Sequence, residues 1–215
     1  MRYKVAGREI RTENTAKPVS QASAPLINWL KEQSRFRRTL DYGCGKLRYA
    51  RVLAENSKSL TLVDSAVQLD REQIIDGERT TIRRYADRWP HARVMEVQEF
   101  LCDDRSFDFV LCANVLSAIP SRSARSKVLG WIRDRLAGGG TALFVVQFRN
   151  SFYRELPKRQ GVTRHLDGYL LRTRRGTSYY GIIPPDNLVE ILRTAHFKVG
   201  KTWSGGESAF VLAHR

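Results

Sequence analysis

The chain has 215 residues, room for one core-forming domain with an appendage, and at 42% hydrophobic, 27% charged and 10% aromatic it has the composition of a globular protein, which excludes a disordered or collagen-like chain. No apolar run reaches membrane-spanning length, the opening stretch MRYKVAGREIRTENT has no apolar core of signal-peptide length, and Cys44, Cys102 and Cys112 show no paired spacing; a cytoplasmic protein without a disulfide framework, zinc site or other metal is the expectation. The net charge of +15 is unevenly placed: residues 1–40 hold 9 basic and 3 acidic side chains, 41–148 hold 16 and 14, and 149–215 hold 12 and 5, so the flanks carry almost all the excess and point to a negatively charged partner.

Residues 1–16 are polar and mixed and read as a loosely held arm. In PVSQASAPLINWLKEQS, Leu26, Ile27, Trp29 and Leu30 cluster at helical spacing, which predicts a helix from about Pro25. RTLDYGCG is a short apolar strand running into a glycine turn. RYARVLAEN is a helix with Ala50, Leu53 and Ala54 on one face, and SLTLVDS is a second strand ending on an acid. Residues 66–90 are expected to be mostly helical and polar, closed by Pro90. ARVMEV and FDFVLCAN are the third and fourth strands. A helix over 121–137 turns Val128, Leu129, Ile132 and Leu136 inward, and Gly138-Gly139-Gly140 is expected to terminate it before a fifth strand, TALFVVQF. The rhythm breaks over 149–185, where GYLLRTRRGTSYYGII predicts two strands around a turn at Arg174-Arg175-Gly176. It resumes with a helix, PPDNLVEILRTAHF, and two strands, FKVGKTWS and ESAFVLAHR, joined at Gly205-Gly206.

Alternating strands and helices imply a parallel sheet wrapped by helices, and the closing hairpin makes the last strand antiparallel to the rest. The expected layout is a basic arm and helix over 1–37, then a single domain over 38–215 with a basic insert at about 149–183. In such a sheet a ligand sits beyond the carboxyl ends of the strands. Two features lie there. Asp41-Tyr42-Gly43-Cys44-Gly45 ends the first strand, and its glycines allow close backbone approach. Asp64 ends the second strand, 19 residues after Gly45, where a carboxylate can accept both hydrogen bonds of a ribose diol. A dinucleotide fingerprint would require glycine at position 48, which holds Arg48.

Acid-x-Gly-x-Gly at Asp41 to Gly45 resembles the first motif of class I S-adenosylmethionine-dependent methyltransferases. Asp64 in LTLVDSA resembles their ribose-binding acid. FDFVLCANVLSAIP resembles their fourth-strand segment, with Asn114 at the turn, and RDRLAGGGTALFVVQ resembles the helix and strand that follow. The resemblance covers residues 38–148 closely and 184–215 loosely. Where the family usually has a third motif glycine, this chain has Leu47, so the start of the next helix is expected to differ. The resemblance implies a Rossmann-like, doubly wound, mostly parallel seven-stranded sheet and S-adenosylmethionine as cofactor. By it, Gly43, Cys44 and Gly45 would lie against the methionine portion, and Asp41 would face its ammonium group directly or through water. Asp64 would hold the ribose hydroxyls, Gln98 and Glu99 would meet the adenine edge, and Asn114 would line the mouth toward the acceptor. The reaction would be an in-line displacement at the sulfonium methyl, served mainly by positioning.

Plainer readings stand beside these. Asp64 alone would serve as a helix cap, Cys44 and Cys112 as small packing residues, Trp131 as core and His165 as a surface histidine. No base is identified; His165, Tyr179 and Tyr180 are the candidates. The turn after the fourth strand lacks the Asn/Asp-Pro-Pro-aromatic pattern of exocyclic-amine DNA methylation, and Cys112 follows Leu111 within a strand, unlike the cysteine nucleophile of cytosine-5 chemistry, which typically follows proline. ANVLSAIP instead resembles methyltransferases acting on small molecules or modified tRNA bases. In the basic insert arginines and aromatics interleave. Arg172, Arg174 and Arg175 suit phosphates and Tyr179 and Tyr180 suit stacking, so RNA or DNA is the expected partner. The alternatives are a small-molecule methyltransferase and a non-catalytic nucleic-acid-binding module with a decayed cofactor pocket, which Leu47 would favour.

Overall fold

The computed structural model describes residues 2–215. In chain order the elements are β1 (Arg2–Val5), β2 (Arg8–Arg11), α1 (Ala24–Glu32), β3 (Phe36–Tyr42), α2 (Ala50–Glu55), β4 (Ser57–Asp64) and α3 (Ala66–Asp70). They continue with β5 (Gln73–Ile75), β6 (Glu78–Thr80), α4 (Ile82–Ala86), β7 (Ala92–Glu96), α5 (Val97–Cys102), β8 (Phe107–Ala113), α6 (Arg122–Arg135) and β9 (Leu136–Gln147). The last elements are α7 (Ser151–Glu155), β10 (Val162–His165), β11 (Gly168–Thr173), β12 (Gly176–Gly181), α8 (Pro185–Thr194), β13 (Lys198–Gly205) and β14 (Ser208–His214).

The main sheet has seven strands in the order β13-β14-β9-β8-β3-β4-β7. β9, β8, β3, β4 and β7 pair in parallel, while β14 runs antiparallel between β9 and β13. This is the expected Rossmann-like α/β sheet. Its strands read as apolar runs because both faces are covered, and successive residues serve opposite cores. Val110 and Cys112 on β8, with Ala142 and Phe144 on β9, join Val128, Ile132, Leu188 and Leu192 of α6 and α8. Their strand neighbours Phe109, Leu111, Leu143 and Val145 join Leu26, Leu30, Leu53 and Ile82 of α1, α2 and α4.

Four local expectations are corrected. Residues 66–90 are not one helical stretch: α3 and α4 flank the hairpin β5–β6, whose turn Asp76-Gly77 has φ of 48° and 85°. An Asp-Gly pair between short apolar runs is the sequence signal for this turn. Gly138, Gly139 and Gly140 do not terminate a helix but lie within β9, where the pairing with β8 shifts register between Phe107 and Phe109. A Cβ at Gly140 would sit 2.9 Å from the Phe107 carbonyl oxygen, so the glycine permits close strand approach there. The N-terminal arm is not loose: β1 and β2 form a hairpin turning at Ala6-Gly7. Finally, the insert contains α7 and β10 besides the two expected strands, and its turn does fall at Arg174-Arg175.

Arm and insert form one second sheet, β1-β2-β12-β11-β10, joined where Ile10 pairs with Thr177. Ile10, Leu170 and Tyr179 make its small core. Buried Arg125 of α6 ties this sheet to the main one. Its Nη2 donates to Asp167 Oδ1 at 2.8 Å and its Nε to the Ile119 carbonyl at 3.0 Å, while the Tyr179 hydroxyl also donates to Asp167. Among the described residues no helix is long and apolar enough to cross a membrane.

Candidate functional site

At the carboxyl ends of β3, β4 and β8 a cleft of about 840 Å³, counting the space at its mouth, is lined by Asp41, Gly43, Cys44, Gly45, Asp64 and Asn114. Six of the eight residues expected at the cofactor thus meet in one cavity. The chain turns sharply after β3: the N–H groups of Gly43 and Cys44 both donate to the Val63 carbonyl, at 2.8 and 3.0 Å. Gly43 has φ +77°, and a Cβ there would lie 2.3 Å from Val115 Cγ2, so no side chain fits. Gly45 has φ +59°; its N–H donates to Asp64 Oδ2 at 2.9 Å, and its carbonyl accepts from Gln68 Nε2 at 2.7 Å. Leu47, at the position of the third motif glycine, adopts φ 58° and is buried.

Asp64 Oδ1 accepts the Ser65 N–H at 2.7 Å, so each carboxylate oxygen is oriented by a backbone donor. A carboxylate oxygen has two lone pairs, which leaves acceptor capacity for a diol. Burial holds the Asp64 carboxyl above its ordinary range. Asp41 is lifted further, to about 7, first by burial and then by the charge of Asp64. Cys44 and Cys112 are buried, and burial pushes both thiols up, the setting of packing groups. Asn114 adopts φ 62° at the end of β8; its Oδ1 accepts the Gln147 N–H at 3.0 Å, and Val115 is thereby set across the glycine turn.

Buried atoms without a hydrogen-bond partner gather here. Glu13 Oε2, Tyr42 Oη and Gln68 Oε1 all belong to lining residues. Unpaired buried polar atoms are costly. Together with buried Asp41 and half-buried Asp64, they suit a cationic ligand bearing hydroxyl and amino groups.

The other expected residues fall elsewhere. Among the described residues, Gln98 and Glu99 do not line the cleft; Val97 does. Glu99 is turned back into a capping box, its carboxylate accepting the Glu96 N–H at 2.7 Å. Arg172, Arg174, Arg175, Tyr179 and Tyr180 also lie outside the lining. The three arginines are exposed, whereas Tyr179 is buried against Arg125 and Asp167 and cannot stack on a base. Tyr180 is half-buried, with Phe152 at 5.0 Å edge-on. His165 is held at 2.8 Å from the Pro120 carbonyl, away from the cleft. Sequence reading missed the arm: Tyr3, Thr12, Glu13, Thr15, Ala16 and Lys17 all line the cavity. The Ala6-Gly7 turn was the one local sign of that hairpin. Gln68 was also missed, although a fully buried glutamine on a short helix beside the glycine turn is explained by its bond to Gly45.

Comparison with known proteins fits this geometry. A family model described as "Methyltransferase domain" matches residues 10–201. The chain is 34% identical over 212 residues to the protein YmfD of Escherichia coli (strain K12), an overlap of 98% of this chain and 95% of that protein. Among solved structures, the DhpI-SAM-HEP complex is similar with a TM-score of 0.67 at 15% identity, over 95% of this chain and 91% of that one. An O-methyltransferase family protein from Burkholderia thailandensis is similar with a TM-score of 0.61 at 16% identity; 89% of this chain is covered, and the chain spans about half of that protein's length, 55%. The fold is that of class I, S-adenosylmethionine-dependent methyltransferases. The chain belongs to the methyltransferase-domain family.

Proposed function

We propose that this protein transfers the methyl group of S-adenosylmethionine to an anionic acceptor, with nucleic acid as the leading class. The observation that carries the cofactor half is the pairing of two carboxylates, buried Asp41 and half-buried Asp64, around a glycine turn with no room for a side chain at Gly43. In this reading Asp41 faces the methionine ammonium, Gly43, Cys44 and Gly45 lie along the methionine portion, and Asp64 accepts the ribose hydroxyls. Val97, at the start of α5, takes the place proposed from sequence for Gln98 and Glu99. Asn114 and Val115 border the acceptor side.

When bound, S-adenosylmethionine supplies an electrophilic methyl group on a sulfonium. The chain's own residues position and exclude water. Asp41 and Asp64 attract a cationic donor, and the β8 turn at Asn114 fixes the wall past which the acceptor approaches. The acceptor half rests on charge. β1, β2 and the β10–β12 hairpins carry Arg2, Lys4, Arg8, Arg164, Arg172 and Arg174 on a sheet whose arm also lines the cleft. A specific observation keeps a small acceptor as the second reading: the arm covers the cavity, and the tyrosine expected to stack, Tyr179, is internal. Calorimetric titration with S-adenosylhomocysteine, followed by transfer of a labelled methyl group to pooled RNA, DNA and small metabolites, tests both halves. Label in RNA or DNA supports the nucleic-acid acceptor, label confined to the small-molecule pool supports the second reading, and absence of any heat of binding refutes the cofactor assignment.

A further inference from the structure

Lys46, Arg71 and Arg175 come from three separate parts of the chain: the glycine loop, the residue after α3 and the β11–β12 turn. They converge on one segment of the arm, Thr12–Thr15. Lys46 lines the cleft with Thr12, Glu13 and Thr15. Arg71 Nη2 donates to the Glu13 carbonyl at 2.9 Å, and Asn14 Nδ2 donates to the Arg175 carbonyl at 3.0 Å. The arm thus touches the Lys46 side chain, the Arg71 guanidinium and the backbone of Arg175, and the two arginine charges lie close enough to repel the Lys46 ammonium.

The acids facing them are already engaged. The Glu13 carboxylate pairs with Arg2 Nε at 3.4 Å, and both Asp64 oxygens accept backbone N–H groups. Among the described residues none of the three cations forms an ion pair, and the buried Nε of Arg71 has no hydrogen-bond partner. Nearby arginines behave differently: Arg51, Arg79 and Arg83 pair with Asp76, Glu72 and Asp70. Partial burial lowers the proton affinity of Lys46, and repulsion from Arg71 and Arg175 lowers it further. Glu13 and Asp64 offset part of the Arg71 charge, but Lys46 and exposed Arg175 add two further cations beside it, an arrangement that an added anion would relieve. Two guanidinium forks and an ammonium match the several oxygens and the charge of a phosphate.

We propose that Lys46, Arg71 and Arg175 form a phosphate site that anchors the acceptor beside the cofactor cavity. The proposal rests on the reading of the cavity as the S-adenosylmethionine cradle. The cofactor itself has no phosphate, and in that reading its one anionic group belongs to the methionine end, near Asp41. The phosphate is a monoester of a small acceptor or a diester of a nucleic-acid backbone; the chemistry at the three side chains is the same.

The test titrates inorganic phosphate, ribose 5-phosphate and a single-stranded RNA dodecamer into the full chain saturated with S-adenosylhomocysteine. The wild type is compared with Arg71→Gln/Arg175→Gln and with Arg71→Lys/Arg175→Lys. We expect phosphate to bind the wild type, to bind the glutamine variant at least tenfold more weakly, and to recover most of its affinity in the lysine variant. The lysine variant, which keeps the charge, should retain the wild-type affinity for S-adenosylhomocysteine, and this controls for the loss of Arg71's bond to the Glu13 carbonyl in the glutamine variant. Tighter binding of ribose 5-phosphate than of RNA identifies a small phosphorylated acceptor. RNA binding whose logarithmic salt slope falls by about 0.7 for each arginine–phosphate pairing removed identifies the backbone source. Phosphate affinity unchanged in the glutamine variant overturns the proposal, as does displacement of S-adenosylhomocysteine by phosphate, which would put the anion inside the cradle. A protein that binds phosphate through these arginines but not S-adenosylhomocysteine keeps the anion site and overturns the cofactor reading instead.

Discussion

Replacing Asp167 by alanine should destabilise the protein by about 3 kcal/mol. Arg125 is nearly sealed from water, with a side-chain exposure of 5%, and Asp167 is its one charged partner; the carboxylate itself is 27% exposed. Removing one member of a buried pair leaves an uncompensated charge, at a cost of roughly 3–5 kcal/mol, and the partial exposure of Asp167 places this pair at the lower end. For a chain of this size about 3 kcal/mol corresponds to a fall in Tm of ~6–12 °C. Urea unfolding at pH 7 reads the effect as a lower midpoint at constant m. The double variant Arg125→Met/Asp167→Leu should recover most of the loss, because it removes the orphaned charge along with its partner. Protonation offers a second handle. Burial disfavours the charged carboxylate, yet hydrogen bonds from Arg125 and Tyr179 outweigh it and hold Asp167 below its ordinary pKa. The native value lies below the unfolded one, so the gap between wild type and Asp167→Ala should be full above about pH 4 and shrink as pH falls through the native value. A single variant as stable as the wild type, or a double variant no better than the single, would refute the account of Arg125 as a strut between the two sheets.

Gly43→Ala should abolish cofactor binding, since its Cβ would overlap Val115 Cγ2 at 2.3 Å and its φ of +77° is unfavourable for alanine; adding Val115→Ala should restore part of the affinity measured by calorimetry, and a Gly43→Ala protein that binds normally contradicts the cradle. Asp64→Ala should weaken binding about 10- to 100-fold, the net loss of roughly one hydrogen bond to a charged acceptor at about 1.5–3 kcal/mol, with Asp64→Asn intermediate because its amide oxygen can still accept from Gly45; equal affinities would remove the ribose assignment. Asp41, lifted to about 7, pairs with an ammonium only when ionised, so S-adenosylhomocysteine affinity should rise between pH 5.5 and 7.5 with proton release on binding. Calorimetry in two buffers of different ionisation enthalpy measures that proton, and Asp41→Asn should flatten the profile; a flat wild-type profile would detach Asp41 from the ammonium.

The main sheet was legible because its strands are short apolar runs between amphipathic helices, a pattern set by burial on both faces. The glycine turn was legible because backbone conformation favours glycine at Gly43 and Gly45, and a rule about backbone geometry can be read residue by residue. What escaped reading was held by contacts distant in sequence. The arm joins the insert through one parallel pairing, Ile10 with Thr177, and nothing local in MRYKVAGREI announces a partner so far along the chain. Tyr179 looked like a stacking platform from composition, but its hydroxyl satisfies Asp167, and the two-residue register that sends Leu170 opposite it turns the ring inward. Gln98 and Glu99 were placed by counting from a strand end, and a capping box claimed Glu99 first.

Leu47 carries the sharpest lesson, because in the sequence it weighed against the cofactor pocket. The structure gives it φ 58°, a left-handed conformation that glycine adopts without steric cost. A non-glycine residue held there costs of order 1–3 kcal/mol. Its side chain, 2% exposed, packs in the cluster of Leu26, Leu30, Leu53 and Leu60, and full burial of a leucine contributes about 1.5–3 kcal/mol. The two magnitudes are comparable, so burial of Leu47 can hold this turn without a glycine. Compensation for the strained loop thus comes from the core beneath it, and the glycine turn at Gly43 and Gly45 keeps its place beside Asp64.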